Sequence, residues 1–153
     1  MKLTEVLIQD ACSLEMKART KKEVLAELAS ALAPATTGLD AKGLVDLLLE
    51  RERLGTTAMG DGIAIPHARV ESLGRLVASF GRSRGGVDFE SIDGKPTHLF
   101  FLLVAPGKEG SQHLLILARL SRLLGKPDFR ARLMEVESVE ELFEVFEEEE
   151  ADR

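Results

Sequence analysis

The continuous apolar run Leu99-Phe100-Phe101-Leu102-Leu103-Val104-Ala105 limits most strongly what this chain can fold into. A strand with one face in water alternates apolar and polar side chains, whereas a continuously apolar strand has to be covered on both faces. Pro106 and Gly107 follow the run and end it. The run therefore predicts a central strand that is buried between two layers.

Helical patterns lie before and after this region. Five helices are expected, beginning at residues that can cap or open them: Thr20, Asp40, Ser111, Asp128 and Ser138. Thr20 and Ser138 belong to capping boxes with Glu23 and Glu141. Pro34 ends the first helix, and Gly125 is the expected C′ residue after the third. The apolar face of the second helix comprises Leu44, Leu47, Leu48 and Leu54.

The middle third of the chain changes to strand patterns. Strands are expected at 76–81 and 87–89 with a Gly85-Gly86 turn between them, and 93–96 is a second turn. A weaker alternation at 12–17 also suggests a strand. Helices first, strands in the middle and helices last predict an α/β fold with one sheet and helices packed on it.

Size and composition narrow the classes of function. The 153 residues suit one domain, and the acidic end from about residue 147 is expected to be frayed. A net charge of −6 argues against a nucleic-acid surface, and no apolar run has the length of a membrane span. Cys12 is the only cysteine, so no intramolecular disulfide can form, and no secretory signal is visible. These observations predict a cytoplasmic protein that is not inserted into the membrane.

The segment Gly60-Asp61-Gly62-Ile63-Ala64-Ile65-Pro66-His67 is the strongest candidate for a site. A glycine-bearing loop leads into a short apolar strand, and Pro66 stops that strand because it has no N–H to donate. His67 is then held on a rigid base at a strand end, where a titratable imidazole suits chemistry near neutral pH. The alternative is a histidine that only caps the strand or faces solvent.

The other histidines are His113 and His98. If Ser111 caps its helix, His113 lies in the first turn, beside unpaired backbone N–H groups that favour anions such as phosphate. His98 precedes the apolar run and is expected to face solvent. A three-histidine metal site stays open in principle, although no pair has the short helical spacing of a zinc motif. Arg51 would by default be a solvated helix charge.

Three segments together resemble a known family. They are Leu49-Glu50-Arg51-Glu52, Leu54-Gly55-Thr56-Thr57 and the Gly60 to His67 segment, and the likeness continues through 93–96 and His113-Leu114. The pattern is similar to that of EIIA components of the fructose/mannitol class, which belong to the bacterial phosphoenolpyruvate-dependent phosphotransferase system and include nitrogen-related EIIA proteins. This chain has Ala58 after Thr57 and Asp61 in the loop, where glycine and asparagine are usual.

The resemblance implies a mixed sheet flanked by helices and a phosphoryl relay. It implies that His67 accepts phosphate, on Nε2, from a phosphocarrier of the HPr/NPr type. Arg51 and His113 would assist the transfer, and Thr57, Gly60 and Gly62 would lie beside the phosphate or the partner. The scheme requires no metal ion and no other cofactor. Ala58 and Met59 would contribute to the docking face, with Ile63 either there or in the core.

Two functions fit this resemblance. A regulatory EIIA of the nitrogen-related branch would control target proteins through the phosphorylation state of His67. A sugar-transport EIIA would instead pass the phosphate to a cysteine of an EIIB partner. The regulatory function is expected, because the chain has the length of standalone regulatory members and carries no fused EIIB.

Overall fold

The computed structural model describes residues 1–107 and 111–151. Its helices are α1 (Leu3–Val6), α2 (Lys21–Leu32), α3 (Ala41–Arg53), α4 (Gln112–Leu124), α5 (Pro127–Glu135) and α6 (Val139–Ala151). Its strands are β1 (Ala58–Gly60), β2 (Ile63–Ala64), β3 (His67–Val70), β4 (Val77–Val87) and β5 (Thr97–Pro106).

Strand β5 is the centre of a mixed sheet, as the apolar run predicts. Strand β4 pairs with β5 in antiparallel orientation. Strands β2 and β3 both run parallel to β5 and keep one register, since Ile63 pairs with Leu99 and His67 with Leu103. Strand β1 pairs with β2 in antiparallel orientation. The expected single sheet with flanking helices is confirmed.

The two faces of β5 belong to two separate cores. Leu99, Phe101 and Leu103 pack in a cluster with side chains of α1, α4, α5 and α6. Phe100 and Leu102 point to the other face, where α2 and α3 cover them. Successive side chains of a strand alternate between faces, so one apolar run supplies both cores.

The predicted helix starts are largely confirmed. The side chains of Thr20, Asp40 and Ser138 accept the backbone N–H three residues on, at 3.2, 2.8 and 3.0 Å. The capping boxes differ in one detail: Glu23 and Glu141 accept from the residue before the cap, Arg19 and Glu137. Pro127, one residue earlier than expected, begins α5. Gly125 follows α4 with φ −72, so this helix ends without the left-handed turn expected of a C′ glycine.

Two predictions about strands are wrong. Residues 12–17 form no strand, because the segment follows a 3₁₀ turn at Gln9–Ala11 and is joined to β4 by one isolated bridge, Ser13 to Gly81. Burial raises the pKa of the Cys12 thiol to about 11. Gly85 and Gly86 do not form a turn between strands either, since β4 continues through them with a register shift between Arg82 and Val87.

The acidic end is also different from the expectation. Helix α6 runs through the Glu147–Glu150 segment as far as Ala151, and residues 152 and 153 lie outside the described residues. The buried Glu150 carboxylate accepts from the backbone N–H of Leu3 at 2.8 Å and from Arg119 at 3.2 Å. These bonds join α6 to α1 and α4 and anchor the helical segment at its end.

Arg82 on β4 is buried, with 1% of its surface exposed. Its Nε donates to the carbonyl of Leu14 at 3.1 Å, and its Nη1 donates to the carbonyls of Leu133 and Val136 at 3.0 and 2.8 Å. A single guanidinium therefore satisfies the C-terminal end of α5 and the segment beside β4. Such carbonyls would otherwise be buried without donors.

Replacing Arg82 by methionine should lower the free energy of unfolding by about 3 kcal/mol or more, because buried acceptors lose their donors. Arg84→Met is the matched control, since Arg84 is exposed on the same strand, and a change within about 0.5 kcal/mol is expected. Urea unfolding with an unchanged m-value measures both variants. Equal losses in the two variants would contradict the role given to Arg82.

Candidate functional site

His67 lies at a break between two strand segments. Strand β2 ends at Ala64, and β3 begins at His67 itself, so the histidine opens a strand instead of ending one as expected. Pro66 carries no N–H and interrupts the pairing, while its carbonyl accepts from Leu103 at 3.0 Å and keeps the register. The break gives the imidazole a fixed position on the rigid edge of β5.

The two ring nitrogens of His67 have different surroundings. Nδ1 lies 2.9 Å from the carbonyl oxygen of Ile65, which can only accept, so Nδ1 carries the proton of the neutral ring. Nε2 then presents a lone pair, and Nε of Arg51 donates to it at 3.3 Å. The hydrogen bond at one nitrogen thus determines the tautomer and leaves the lone pair on the other.

Arg51 reaches this nitrogen from the last turn of α3, which packs against β3. Its Nη1 donates to the carbonyl of Gly55 at 2.9 Å. Gly55 has φ +147, a left-handed conformation that favours glycine, and the chain turns there directly after the helix. Arg51 is therefore part of the site and not a solvated helix charge.

His113 and Arg69 form the opposite side of the site. His113 lies in the first turn of α4, as expected, but in the described structure the Ser111 side chain makes no capping bond. Arg69 is two residues beyond His67 on β3, so both side chains emerge on the same face of the strand. Nη2 of Arg69 lies 2.8 Å from Nε2 of His113.

A largely apolar cleft of about 590 Å³ lies between the side chains of Arg51, His67, Arg69 and His113. The residues that line it are Leu47, Glu50, Arg51, Leu54, His67, Ala68, Arg69, Leu103, Ala105, His113, Leu114 and Leu117. Leu54 and Leu114 are 84% and 56% exposed at its rim. Leu47 and Leu54 thus belong to this cleft, and the expectation that they lie with Leu44 and Leu48 on a buried face of α3 is wrong for these two.

Three of the predicted site residues do not line the cleft. Thr57 is buried, and both its N–H and its hydroxyl donate to the carboxylate of Glu52. Gly60 and Gly62, with φ +96 and +78, form the turn between β1 and β2. That turn adjoins the pairing of Ile63 with Leu99, four positions from the pairing of His67 with Leu103, or roughly 13 Å along the strand.

The turn is stabilised by its own contacts. The Asp93 carboxylate accepts from the N–H of Lys95, the hydroxyl of Ser91 and the N–H of Asp61, and these bonds lower its pKa. The negative charge of Asp61 therefore lies in this turn and does not line the cleft. Ala58 and Ile63 are buried, so Ile63 belongs to the core and Ala58 is no part of an exposed docking face.

Arg69 and the apolar rim are the features that sequence reasoning missed. The two-residue spacing from His67 to Arg69 could have indicated Arg69, but only if β3 had been known to begin at His67. The rim residues are leucines with ordinary helical spacing. Nothing in that spacing distinguishes a leucine at a cleft from one in the core.

The arrangement is suited to an anion that bonds to Nε2 of His67. Two guanidinium groups, a second imidazole and the N-terminal turn of α4 supply donors and positive charge around one lone pair. No group of three or more histidine, cysteine or carboxylate side chains is placed to hold a metal ion within residues 1–107 and 111–151. In the same residues, no helix combines the length and the apolar character needed to cross a bilayer.

Comparisons with known proteins show the family to which the chain belongs. The family model described as phosphoenolpyruvate-dependent sugar phosphotransferase system, EIIA 2, matches residues 5–149. A nitrogen regulatory protein of Bradyrhizobium diazoefficiens is 39% identical over 145 residues, which cover 95% of this chain and 94% of that protein. The fructose-specific EIIABC component of Bacillus subtilis is 37% identical, with 95% of this chain covering only 23% of that protein.

A solved structure agrees as well. The crystal structure of the nitrogen regulatory protein IIA-Ntr from Neisseria meningitidis superimposes with a TM-score of 0.88 at 32% identity, over 94% of this chain and 97% of that one. This chain belongs to the type-2 EIIA family of the phosphoenolpyruvate-dependent sugar phosphotransferase system.

Proposed function

We propose that the chain is a single type-2 EIIA domain that works in the cytoplasm as a phosphohistidine carrier. His67 accepts the phosphoryl group on Nε2 from a phosphocarrier protein of the HPr/NPr type. The observation that carries this proposal is the bond from Nδ1 of His67 to the carbonyl of Ile65, which leaves Nε2 as the nucleophile facing Arg51.

The phosphoryl group can be transferred without His67 gaining or losing a proton. The N–P bond of the donor phosphohistidine breaks, its electron pair returns to the donor nitrogen, and the lone pair of Nε2 forms the new N–P bond. Nδ1 keeps its proton, and the ring becomes an imidazolium. The carbonyl of Ile65 already accepts that N–H at 2.9 Å, so it also stabilises the new positive charge.

The phosphoryl oxygens need positioning and positive charge more than covalent help. Arg51 can bind two of these oxygens with its planar fork, and Arg69 approaches from the same strand as His67. His113 and the N-terminal turn of α4 add donors on the far side. Arginine side chains supply the positive charge in this scheme, and no metal ion or cofactor takes part.

The regulatory branch is the version of this function that we favour. Its support is the match to the nitrogen regulatory protein of Bradyrhizobium diazoefficiens over nearly the full length of both chains. A sugar-transport role is the second candidate, supported by the 37% identity to a fructose-specific component. In that case the phosphate passes from His67 to a cysteine of an EIIB domain.

The leucines around the cleft suggest where partners dock. Leu54 and Leu114 are large apolar side chains exposed beside the nucleophile, and such patches rimmed by polar groups mark interaction sites. The arginines of the cleft suit a donor that brings negative phosphate with it. We therefore place the carrier and the regulated target, or EIIB, on this same face, where the phosphoryl group on His67 brings a charge of about −1.5 to −2.

His67→Ala should abolish labelling by phosphoenolpyruvate, Enzyme I and an HPr-type carrier, because it removes the nucleophilic nitrogen. His98→Ala is the matched control and should label fully, since His98 donates from Nδ1 to the carbonyl of Ser83 outside the cleft. The label should be acid-labile, as expected of an N–P bond. Undiminished labelling of the His67 variant would refute the proposal.

The same labelled protein separates the two branches when a fructose-class EIIB domain is added. A regulatory EIIA should keep its label, and a sugar-transport EIIA should lose it to the EIIB cysteine.

Arg51→Ala and His113→Ala should each slow phosphorylation by about 10- to 100-fold, the equivalent of losing one charge-assisted hydrogen bond of roughly 1.5–3 kcal/mol. Arg53→Ala is the control, because Arg53 is exposed at the end of the same helix and does not line the cleft. Single-turnover kinetics with saturating phosphorylated carrier measures the rates. Wild-type rates in both variants would exclude these residues from the transfer.

Leu54→Asp should weaken carrier binding by about tenfold or more, because it places a charge in the apolar rim. Ile92→Asp introduces the same charge at a side chain that is 74% exposed outside the cleft, and it should bind normally. Calorimetric titration measures the affinities. Unphosphorylated carrier should also displace the target, and simultaneous binding of both would show that two separate surfaces are used.

A further inference from the structure

Glu52 and Thr57 form a buried polar pair behind the site. The Glu52 side chain is only 4% exposed. One of its oxygens accepts from the N–H of Thr57 at 3.1 Å, and the other accepts from the Thr57 hydroxyl. Burying a carboxylate costs free energy unless the charge is paired, so Glu52 requires a positively charged partner as well.

Lys21 supplies the positive charge for this carboxylate. Its Nζ lies 2.9 Å from Glu52 and 2.9 Å from Glu90, and it also lies over the ring of Phe89. Burial of the ammonium opposes its charge, but the bonds to Glu52 and Glu90 prevail and raise the pKa of Lys21. The ammonium of Lys21 therefore faces the same carboxylate that accepts both hydrogen bonds from Thr57.

The pair is connected to His67 through the backbone. The carbonyl of Thr57 accepts from the N–H of Ile65 at 3.1 Å. The carbonyl of Ile65, in turn, accepts from Nδ1 of His67 at 2.9 Å. Because Thr57 anchors Ile65 directly before the proline break, it helps to orient the carbonyl that selects the tautomer of His67.

The same carboxylate lies at the end of α3 from which Arg51 reaches the other ring nitrogen. The N–H of Gly55 donates to the carbonyl of Glu52 at 3.1 Å, and Arg51 donates to the carbonyl of Gly55. The backbone of Glu52 thus leads through Gly55 to Arg51 at one nitrogen of His67, while its carboxylate leads through Thr57 and Ile65 to the other.

We propose that Glu52 and Thr57 are positioning residues that hold His67 as the Nδ1–H tautomer with Nε2 directed at Arg51. Thr57 acts through the protein interior and makes no contact with the phosphate. The contribution to phosphotransfer rests on the proposed function, whereas the effect on the tautomer does not.

Long-range ¹H–¹⁵N NMR of the histidine rings, recorded at a pH where they are neutral, tests this. Thr57→Val keeps the branched shape but removes the hydroxyl, and it should lower the Nδ1–H fraction of His67. Phosphorylation should slow by about tenfold. Thr57→Ser restores the hydroxyl and should restore both values. His98 is an internal reference whose signals should not move, because its own carbonyl partner is Ser83.

Thr56→Val is the matched control. The Thr56 hydroxyl donates to the carbonyl of Phe89 and accepts from the N–H of Ala58, so it stabilises the same segment without bonding to Glu52. This variant should lose stability in urea unfolding but keep the His67 tautomer. If Thr57→Val does not fold, Glu52→Gln replaces it, with the same shift expected.

A His67 that stays fully Nδ1–H in a folded Thr57→Val or Glu52→Gln variant would overturn the proposal, and so would an equal tautomer shift in Thr56→Val. A tautomer shift in a protein whose wild type accepts no phosphate would support the positioning role and refute the proposed function instead. The two failures are therefore distinguishable.

Discussion

The burial of β5 on both faces is the constraint on which the rest of the structure depends. Its alternate side chains supply two separate cores, and each core requires its own helical layer. The backbone N–H and C=O groups of β5 point to its two edges, where the neighbouring strands pair with it. One edge takes β4 and the other takes β2 and β3 in a single register, which places His67 beside Leu103.

The site results from an interruption of that edge. Pro66 cannot donate to the ladder, and the carbonyl of Ile65, just before it, accepts from the imidazole of His67. The apolar sheet beneath provides rigidity, and the end of α3 and the start of α4 provide charge and donors. A relay needs this combination, because the nucleophile must be fixed while the transferred group stays accessible at the surface.

Polar interactions in the interior have a different role from those in the cleft. Arg82 satisfies carbonyls at a helix end, and Glu150 joins the acidic helix to α1. Lys21, Glu52 and Thr57 form a buried set that leads towards His67. In each case a buried charged group has at least two partners, and their bonds offset part of the cost of its desolvation.

Secondary structure was predicted well where it depends on interactions between residues that are close in the sequence. The caps at Thr20, Asp40 and Ser138 depend on residues three apart and were correct. The alternation at 12–17 was misleading, since the backbone of this segment runs beside β4 and is joined to it by an isolated bridge instead of a ladder. The Glu147–Glu150 segment was expected to be a frayed end, but it is helical, and Arg119, Lys126 and Arg132 form ion pairs with it.

The sequence alone determined the central strand, most of the helix starts, and His67 and His113 as candidates, because apolar periodicity, capping residues and the proline–histidine pair act over a few residues. Arg51 became a candidate only through the family resemblance. Only the tertiary structure decided that Arg69 joins the cleft, that Leu47 and Leu54 form its rim, and that Thr57, Gly60 and Gly62 lie outside it. These placements depend on strand register and on packing between residues far apart in the chain. The whole fold determines which of these residues come together, and no short stretch of the sequence indicates it.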